Sequence, residues 1–262
     1  PMIVRPVVDS DFLMIVLVTG ASSGFGAAIA RRFAREGHRV IAAARRTDRL
    51  AALAHELGPS LTTRELDVTS KASIDAMLAG LPAELREIDV LVNNAGLALG
   101  LEPAQEAHLH DWETMIATNC QGLVWMTRAL LPQMVARGSG LVINIGSVAG
   151  AYPYPGGNVY GASKAFVEQF TLNLRADLVG TGVRATNLAP GMAGGTEFSN
   201  VRFKGNDEAA AKVYANIQPL TAGDIAEAAY WVSTLPAHIN INQIEMMPTC
   251  QGFSAFAVKR NA

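Results

Sequence analysis

A tyrosine and a lysine four residues apart are the pair most able to do chemistry in this sequence. If residues from about 159 onward form a helix, Tyr160 and Lys164 share one face of it, with Cβ atoms roughly 5–6 Å apart. A nearby ammonium favours a phenolate, so the pair predicts that the pKa of Tyr160 is lowered from about 10 and that the phenol acts as a general base. Ser147 follows the apolar run 141–145. We therefore expect its hydroxyl at the carboxyl end of a strand, where ligands bind in open α/β sheets.

A glycine-rich turn follows the first predicted strand. Residues 14–19 are an apolar, β-branched run, typical of a strand buried on both faces. The residues after them are Gly20, Ala21, Ser22, Ser23, Gly24, Phe25 and Gly26. A helical pattern then runs to Gly37, and glycines at such a junction let the backbone approach a pyrophosphate at the helix N-terminus. Glycine is also the default residue of any tight turn, so the position of this turn after a first strand is what favours a dinucleotide site.

Two arginines follow the second predicted strand, which covers residues 39–44. A site for the unphosphorylated cofactor would place Asp or Glu here, about twenty residues past the glycine turn, to bind the ribose 2′-OH. The residues present are Arg45 and Arg46, and no carboxylate occurs from 37 through 47. Planar guanidinium groups suit a 2′-phosphate, which predicts NADP as the cofactor. The alternative is that both arginines are solvated surface charges.

Asp67 and Asn94 also follow predicted strands, at residues 61–66 and 88–92. Asp67, with Val68 after it, has two interpretations: it accepts a hydrogen bond from an adenine amino group, or it caps the next helix. Asn94 belongs to a run of small and amide residues that suits a backbone pressed against a flat ligand. Such runs are ordinary turn formers as well.

Asn119 is a polar residue in a largely apolar helical stretch, residues 111–137. Two interpretations remain open from the residues alone. The side chain holds a buried water, or it bends the helix.

The alternation of strand and helix patterns predicts an α/β fold of the Rossmann type, a doubly wound parallel sheet of about seven strands with helices on both faces. No linker rich in Pro, Gly or Ser divides the chain, so we expect a single domain over residues 14–262. Residues 1–13 precede the first strand pattern, and we expect them to be a loosely ordered extension. The segment 192–205 follows the sixth strand, residues 183–188, and its mixed polarity is typical of a lid.

The composition excludes several classes of protein. Hydrophobic residues make up 50% of the 262 residues and charged residues 17%, which is typical of a globular enzyme with a large core. A net charge of -2 without basic clusters argues against nucleic-acid and membrane-surface partners. Two cysteines, Cys120 and Cys250, do not form a disulfide framework and favour the cytoplasm. His108 and His110 are two residues apart, which on a helix directs them to different sides, so no metal site is expected.

These motifs together resemble the short-chain dehydrogenase/reductase family over essentially everything after Met14. The matching segments are T-G-A-S-S-G-F-G at 19–26, D-V at 67–68, N-N-A-G at 93–96, the set Asn119, Ser147, Tyr160 and Lys164, and P-G at 190–191. Within the family the chain is most similar to the NADP-dependent 3-hydroxy acid dehydrogenases. The stretches that carry this similarity are residues 93–100, 156–164, 194–205 and 231–242.

The resemblance implies a role for each catalytic candidate. Tyr160 takes the substrate hydroxyl proton on oxidation and returns it on reduction. Lys164 lowers the pKa of that phenol and holds the nicotinamide ribose. Ser147 hydrogen-bonds the reacting oxygen, and Asn119 keeps a water in the proton relay.

The resemblance also implies a cofactor site and an assembly. Gly20 to Phe25 cradle the pyrophosphate, Arg45 and Arg46 the 2′-phosphate, Asp67 and Val68 the adenine, and Asn94 the adjacent ribose. The residues implied to line the nicotinamide are Pro190, Gly191, Met192, Ala193, Gly194, Gly195, Thr196, Glu197 and Phe198. Many relatives have the threonine five residues after the proline, whereas Thr196 is six after Pro190, which leaves open which residue meets the carboxamide. The family is commonly tetrameric, so a homo-oligomer is expected.

The expected activity is reversible hydride transfer between NADP(H) and the carbinol carbon of a small 3-hydroxy acid, such as L-serine, L-allo-threonine or 3-hydroxypropionate. A carboxylate substrate needs a cation, and Arg202 and Lys204 in the predicted lid are the candidates, unless both are surface charges. One alternative is a reductase for another class of alcohol or ketone. A second is a non-catalytic NADP-binding regulator, which could dispense with the serine, tyrosine and lysine that this chain retains.

Overall fold

Seven stretches, most of them apolar in the centre of the sheet, form the strands of one parallel sheet in the computed structural model, which describes residues 13–253. In chain order the strands are β1 Ile15–Thr19, β2 Arg39–Ala44, β3 Leu61–Glu65, β4 Val90–Asn93, β5 Gly140–Ile145, β6 Val183–Pro190 and β7 Gln243–Met246. Their order in the sheet is β3-β2-β1-β4-β5-β6-β7, and every neighbouring pair is parallel. The predicted Rossmann-type fold is confirmed. Residues 1–12 of the expected extension lie outside the described residues.

Helices cover both faces of this sheet. They are α1 Gly24–Arg35, α2 Thr47–Leu57, α3 Lys71–Ala79, α4 Leu109–Ile116, α5 Leu123–Arg137, α6 Asn158–Asp177, α7 Phe198–Arg202, α8 Asp207–Lys212 and α9 Ala222–Ser233. Alternate residues of one strand serve the two layers: Val16 packs in the same cluster as Phe33 of α1, and Leu17 packs with Met126 of α5. Burial on both faces explains why the strands read as continuous apolar runs. No helix within residues 13–253 is long and apolar enough to cross a bilayer.

A π-helical turn interrupts the long helical stretch predicted for residues 111–137. The chain runs from α4 through a π turn, Ala117–Gly122, into α5. Such turns insert one extra residue into a helix and are frequent at functional sites. Gly122 ends the turn against Val68, whose side chain would be only 2.8 Å from a Cβ at that position. The turn therefore fixes where Asn119, near its middle, points.

The last strand is shorter than the sequence predicts. Residues 239–246 have a strand pattern, but β7 begins at Gln243. The side chain of Asn240 takes the place of a strand residue: its Oδ1 accepts from the Ala185 N–H (2.8 Å) and its Nδ2 donates to the Ala185 carbonyl (3.0 Å). Because these bonds satisfy the backbone of β6, pairing of the two strands starts only at Asn187 and Gln243.

Candidate active site

A cavity of about 360 Å³ opens at the carboxyl ends of the central strands. Parallel strands bring the residues that follow them to one edge of the sheet, so segments far apart in sequence meet there. The predicted site residues that line it are Gly20, Ser22, Ser23, Gly24, Phe25, Arg45, Arg46, Asp67, Val68, Asn94, Tyr160, Lys164, Thr196, Glu197 and Phe198. The other predicted residues lie around this cavity or support it, as follows.

The glycine turn leaves no room for a side chain at position 26. A Cβ at Gly26 would lie 2.4 Å from the Gly20 carbonyl oxygen and 2.5 Å from the Asn94 side-chain nitrogen. Asn94 holds the turn through Nδ2, which donates to the carbonyls of Thr19 (2.8 Å) and Gly20 (3.2 Å). Thr19 completes the contact, because its hydroxyl oxygen accepts from the N–H groups of Asn94 and Ala95 at 3.0 Å each. Thr19 was not predicted to hold the turn, and its position as the last residue of the first strand was the available signal.

Arg45 and Arg46 differ in their surroundings. The Arg46 guanidinium donates to Ser22 Oγ (3.2 Å), Ser23 Oγ (2.7 Å) and the Glu197 carboxylate (2.8 Å). Arg45 has no hydrogen-bond or ion-pair partner among residues 13–253 and is exposed at the cavity. The two arginines thus place positive charge at the end of β2, where the sequence predicts a 2′-phosphate.

Asp67 and Val68 line the cavity at the end of β3. Asp67 Oδ1 accepts from the N–H (2.9 Å) and the hydroxyl (2.7 Å) of Thr69. These hydrogen bonds, together with the charge of Arg45, outweigh partial burial and hold the pKa of Asp67 below its usual value. One carboxylate oxygen is thus engaged in a local turn, while the side chain still borders the cavity.

Tyr160 is almost fully buried where α6 faces the cavity. Burial raises the pKa of its phenol to about 12, although a hydrogen bond with Ser147 and the positive charge of Arg202 both act to lower it. The sequence predicts a lowered pKa. The structure differs because removing a phenolate from water costs more than these neighbours return.

Lys164 lies one turn along α6, and its ammonium is hydrogen-bonded to the last residue of β5. Nζ donates to the Ile145 carbonyl (2.8 Å) and is 5.9 Å from the centroid of the Tyr160 ring. Burial lowers the pKa of Lys164 to about 8. A Cβ at Gly96 would lie 3.3 Å from Asn119 Oδ1 and 3.5 Å from Nζ, so the backbone after β4 passes close to both side chains.

Ser147 and Asn119 lie behind the cavity wall. Ser147 Oγ accepts from the Ala149 N–H (3.1 Å), beside the end of β6. Asn119 exchanges two hydrogen bonds with the backbone of Leu97, at 2.9 and 2.8 Å, and donates to Ser163 Oγ (3.0 Å). Its side chain therefore joins the π turn to the strand-end segment, which supports the interpretation that Asn119 distorts the helix.

The segment after β6 covers the cavity with its second half only. The residues Pro190, Gly191, Met192, Ala193, Gly194 and Gly195 are not part of the cavity wall. They are held from the other side, because the Met192 N–H donates to Gln251 Oε1 (2.7 Å) and the Gly194 N–H to the Leu220 carbonyl (2.8 Å). Gln251 was not predicted to hold this segment, because no local motif marks it.

The second half of this segment contacts the glycine turn and the tyrosine. A Cβ added to Gly24 would be 3.4 Å from Thr196, so Thr196 lies against the turn. The Phe198 ring is 5.7 Å from the Tyr160 ring. The helix α7, which the sequence pattern did not predict, begins at Phe198.

Of the two cations proposed for a substrate carboxylate, only Arg202 lies beside Tyr160. Its guanidinium carbon is 5.5 Å from the Tyr160 ring centroid. Arg202 Nη2 donates to the Tyr154 hydroxyl (2.7 Å) and Nε to the Gly100 carbonyl (3.2 Å). Lys204 instead forms an ion pair with the buried Asp111 (2.7 Å). Tyr154 was not predicted, and a tyrosine in a Pro- and Gly-rich loop carries no specific signal.

The expected absence of a metal site has no test in a structure without ligands, but the donor groups can be described. Within residues 13–253, no three His, Cys, Asp or Glu side chains come close enough together to hold a metal ion. The titratable and charged groups in the cavity wall are the phenol of Tyr160, the ammonium of Lys164, the guanidinium groups of Arg45 and Arg46, and the carboxylates of Asp67 and Glu197.

Known proteins share both the sequence and this architecture. The profile of the short chain dehydrogenase family matches residues 14–207. An NADP-dependent 3-hydroxy acid dehydrogenase of Salmonella typhi, YdfG, is 63% identical over 248 residues, which cover 95% of this chain and 100% of that protein. A serine 3-dehydrogenase of Agrobacterium fabrum is 51% identical over 247 residues, covering 94% and 98% of the two chains.

The fold is also similar to that of a solved dehydrogenase structure. The closed form of a serine dehydrogenase complexed with NADP+ superposes with a TM-score of 0.94 at 62% identity, covering 95% of this chain and 100% of the other. The family profile spans more than half of the chain, and the relatives match it over nearly their whole length. The glycine turn, the seven-stranded sheet and the Tyr160–Lys164 pair at its carboxyl edge are thus accounted for together: the chain belongs to the short-chain dehydrogenase/reductase family.

Proposed function

We propose that this protein transfers hydride reversibly between NADP(H) and the hydroxyl-bearing carbon of a small 3-hydroxy acid, with Tyr160 as the acid and base. The observation that carries the proposal is the position of Arg202. A guanidinium without a carboxylate partner among residues 13–253 lies 5.5 Å from the Tyr160 ring. A substrate with a hydroxyl at one end and a carboxylate at the other would engage both groups.

The cofactor is NADP, in agreement with the arginines after β2. Arg45 and Arg46 supply positive charge for a 2′-phosphate in the cavity wall, and two of the relatives described above are an NADP-dependent enzyme and a structure that holds NADP+. The tight contacts at Gly20 and Gly26 fit a backbone that must approach a pyrophosphate closely. When bound, NADP accepts or donates the hydride, and the protein orients the reactants and handles the proton.

The proton is handled by Tyr160 with help from its neighbours. On oxidation the phenolate accepts the hydroxyl proton of the substrate, and on reduction the phenol returns it. A hydrogen bond with Ser147 acts to lower the pKa of the phenol and so favours the phenolate. Lys164 contributes positive charge and hydrogen bonds near the ribose, within reach of the cavity that it lines.

The substrate class follows from Arg202 and from the relatives. L-Serine, L-allo-threonine and 3-hydroxypropionate each carry the hydroxyl on carbon 3 and the carboxylate at carbon 1, so a single carbon separates the two groups. A forked guanidinium can bind such a carboxylate through two parallel hydrogen bonds. The two named relatives are a 3-hydroxy acid dehydrogenase and a serine 3-dehydrogenase, which supports this class. By the same resemblance we propose a homotetramer that acts in the cytoplasm.

A comparison of cofactors and substrates tests the proposal. We expect reduction of NADP, followed at the nicotinamide absorbance, with L-serine, L-allo-threonine and 3-hydroxypropionate, and a slower rate with NAD at equal concentration. The reverse reaction should consume NADPH with malonic semialdehyde. Cofactor binding without turnover on any alcohol would indicate a regulator, and turnover confined to neutral ketones would indicate another substrate class.

Replacing Lys164 by methionine should separate stability from activity. At neutral pH the folded protein keeps an ammonium whose pKa burial has lowered from 10.5 to about 8. This shift corresponds to a cost of roughly 3 kcal/mol, since one pKa unit is about 1.4 kcal/mol. Methionine removes this cost because it carries no charge. It also loses the hydrogen bond to the Ile145 carbonyl, which lowers the stability by about 1–3 kcal/mol and offsets part of the gain. We therefore expect Lys164→Met to unfold at an equal or higher temperature than wild type at pH 7 while its kcat falls.

The pH dependence checks the cause. Below pH 8 Lys164 is protonated in both the folded and the unfolded protein, so the cost of burying its ammonium is fully present. Between pH 8 and 10.5 the lysine of the folded protein loses its proton first, and this cost decreases. The melting temperature of Lys164→Met minus that of wild type should therefore decrease as the pH rises from 7 to 10. A variant that is strongly destabilised at pH 7 would show that the ammonium contributes more than it costs.

A further inference from the structure

The lid carboxylate of Glu197 binds the same guanidinium that is to receive the 2′-phosphate. Arg46 Nη1 donates to Glu197 Oε2 at 2.8 Å, and Arg49 Nη2 lies 3.8 Å from the other carboxylate oxygen. Arg46 is at the end of β2 and Glu197 follows β6, 151 residues further along the chain. No sequence pattern connects them, and the contact exists only because the lid crosses the cavity.

Arg46, the partner of this carboxylate, is also bonded to other groups that can recognise a 2′-phosphate. The hydroxyls of Ser22 and Ser23 accept from Nε and Nη2 of Arg46, so the serines and the arginine form one connected group. Glu197, both serines and both arginines line the same cavity. A carboxylate and a phosphate seek the same planar donors, and the phosphate brings about two negative charges.

From these contacts we infer that Glu197 is a competing anion that lowers the affinity for NADP relative to NAD and so sets the cofactor selectivity. The inference rests on the proposed role of Arg46 as a ligand of the 2′-phosphate. When the phosphate binds, Glu197 either yields its place on Arg46 or stays within a few ångströms of a second anion. Both cases weaken the binding of NADP and NADPH. Neither applies to NAD, which has a neutral ribose hydroxyl at that position.

The charge on Glu197 is present throughout the working range of pH. The hydrogen bond from Arg46 holds the pKa of the Glu197 carboxyl below its usual value. The pair is partly exposed, with side-chain exposures of 45% for Arg46 and 40% for Glu197, so solvent and salt screen the repulsion. A separation of about 6 Å between the two anions at high dielectric gives an effect of roughly three- to ten-fold on the dissociation constant of NADP.

The substitution Glu197→Gln tests the inference, because it keeps the size and the hydrogen-bonding oxygen but removes the charge. We expect the dissociation constant of NADP, measured by calorimetry, to fall by about three- to ten-fold and that of NAD to change by less than about two-fold. The gain for NADP should shrink when the salt concentration is raised from 0.05 to about 0.5 M, since the effect is electrostatic.

Glu56→Gln is the matched control. Glu56 forms an ion pair with Arg31 at 2.7 Å, with exposures of 37% and 42%, close to the values for Arg46 and Glu197. It lies near the end of α2, about 15 Å along the helix from Arg46. We expect this variant to bind both cofactors as wild type does.

Two results would overturn the inference. If Glu197→Gln binds NADP no more tightly than wild type, the carboxylate does not compete. If the variant binds both cofactors more weakly and to the same degree, Glu197 is a clasp that holds the lid closed. Arg46→Gln separates these failures from a failure of the proposed function. If Arg46→Gln loses NADP affinity but Glu197→Gln gains none, only the competition by Glu197 is rejected. If Arg46→Gln binds NADP as wild type does, the phosphate site at Arg46 is rejected as well.

Discussion

Replacing Tyr160 by phenylalanine is expected to lower kcat/KM for the oxidation of 3-hydroxypropionate by about 10³-fold or more, with the dissociation constant of NADP changed by less than about three-fold. The phenol is the one group of the cavity wall that the proposed mechanism uses to accept the substrate proton. The ring itself is buried and packs on Phe198, so phenylalanine fills the same space. The loss of one hydrogen bond with Ser147 changes the free energy of unfolding by about 1 kcal/mol, too little to unfold the enzyme.

Tyr152→Phe is the matched control for this change. The Tyr152 hydroxyl donates to Glu245 at 3.0 Å and is not part of the cavity wall. This variant also loses one phenolic hydroxyl, and we expect its kcat/KM to stay within about two-fold of wild type. If Tyr160→Phe retained a tenth or more of the wild-type rate, another group would have to carry the proton, and the proposed mechanism would be wrong.

The pH profile of the wild-type enzyme gives an independent check on the same residue. Burial raises the pKa of Tyr160 to about 12, so only a small fraction of the phenol is ionised at neutral pH. A base with a raised pKa becomes active as the pH rises, and an acid with a raised pKa stays protonated. The rate of oxidation should therefore increase between pH 7 and 10, while the rate of reduction should not increase. A flat profile for oxidation would show that the bound reactants lower this pKa far more than the chain alone does.

Local patterns predicted the sheet and the glycine turn because each depends on neighbours in sequence. The strand formed by Ile15–Thr19 is apolar on both faces, and only glycine fits at position 26, where a Cβ would meet the Gly20 carbonyl at 2.4 Å. The same kind of reasoning failed at residues 239–242. There the side chain of Asn240, and not a strand backbone, satisfies Ala185. Apolar periodicity does not show whether a strand backbone or a side chain makes the hydrogen bonds to the backbone of a neighbouring strand.

Contacts between distant segments were beyond the sequence for a different reason. The pairing of Arg46 with Glu197 and of Arg202 with Tyr154 depends on how the lid crosses the sheet edge. The sign of a pKa shift has the same dependence. The spacing of Tyr160 and Lys164 predicted that the lysine lowers the pKa of the phenol, but burial raises that pKa, and the positive charge that acts against the rise is that of Arg202. The depth of burial, which decides the net shift, is a property of the whole fold.

Replacing Arg202 by glutamine is expected to lower kcat/KM for 3-hydroxypropionate by about 100-fold, mainly through KM, and to leave kcat/KM for the neutral amide of that acid within about three-fold of wild type. The guanidinium is fixed in place before substrate binds, because Nη2 donates to Tyr154 and Nε to the Gly100 carbonyl. A fixed donor loses little conformational freedom on binding. A paired, partly desolvated carboxylate then gains about 1.5–3 kcal/mol, which corresponds to the expected factor.

Two further variants separate charge from geometry. Arg202→Lys keeps the charge but cannot present two parallel donors, so its kcat/KM for the acid should lie between those of wild type and Arg202→Gln. Lys212→Gln also removes one positive charge, but from an exposed residue of α8 that pairs with Glu208. We expect Lys212→Gln to behave as wild type with both substrates.

The ratio of the two substrates decides the assignment. If Arg202→Gln lowers kcat/KM equally for the acid and for its amide, the residue shapes the lid or Tyr160 and does not bind the carboxylate. The Tyr154→Phe variant adds a graded test, because it removes the acceptor of the Nη2 hydrogen bond while leaving the guanidinium in place. Its effect should have the same preference for the acid as Arg202→Gln, but kcat/KM should fall by only about ten-fold, since the hydrogen bond from the charged group contributes about 1.5–3 kcal/mol and the guanidinium itself remains. An effect on the amide alone would mean that Tyr154 contacts the reacting end of the substrate.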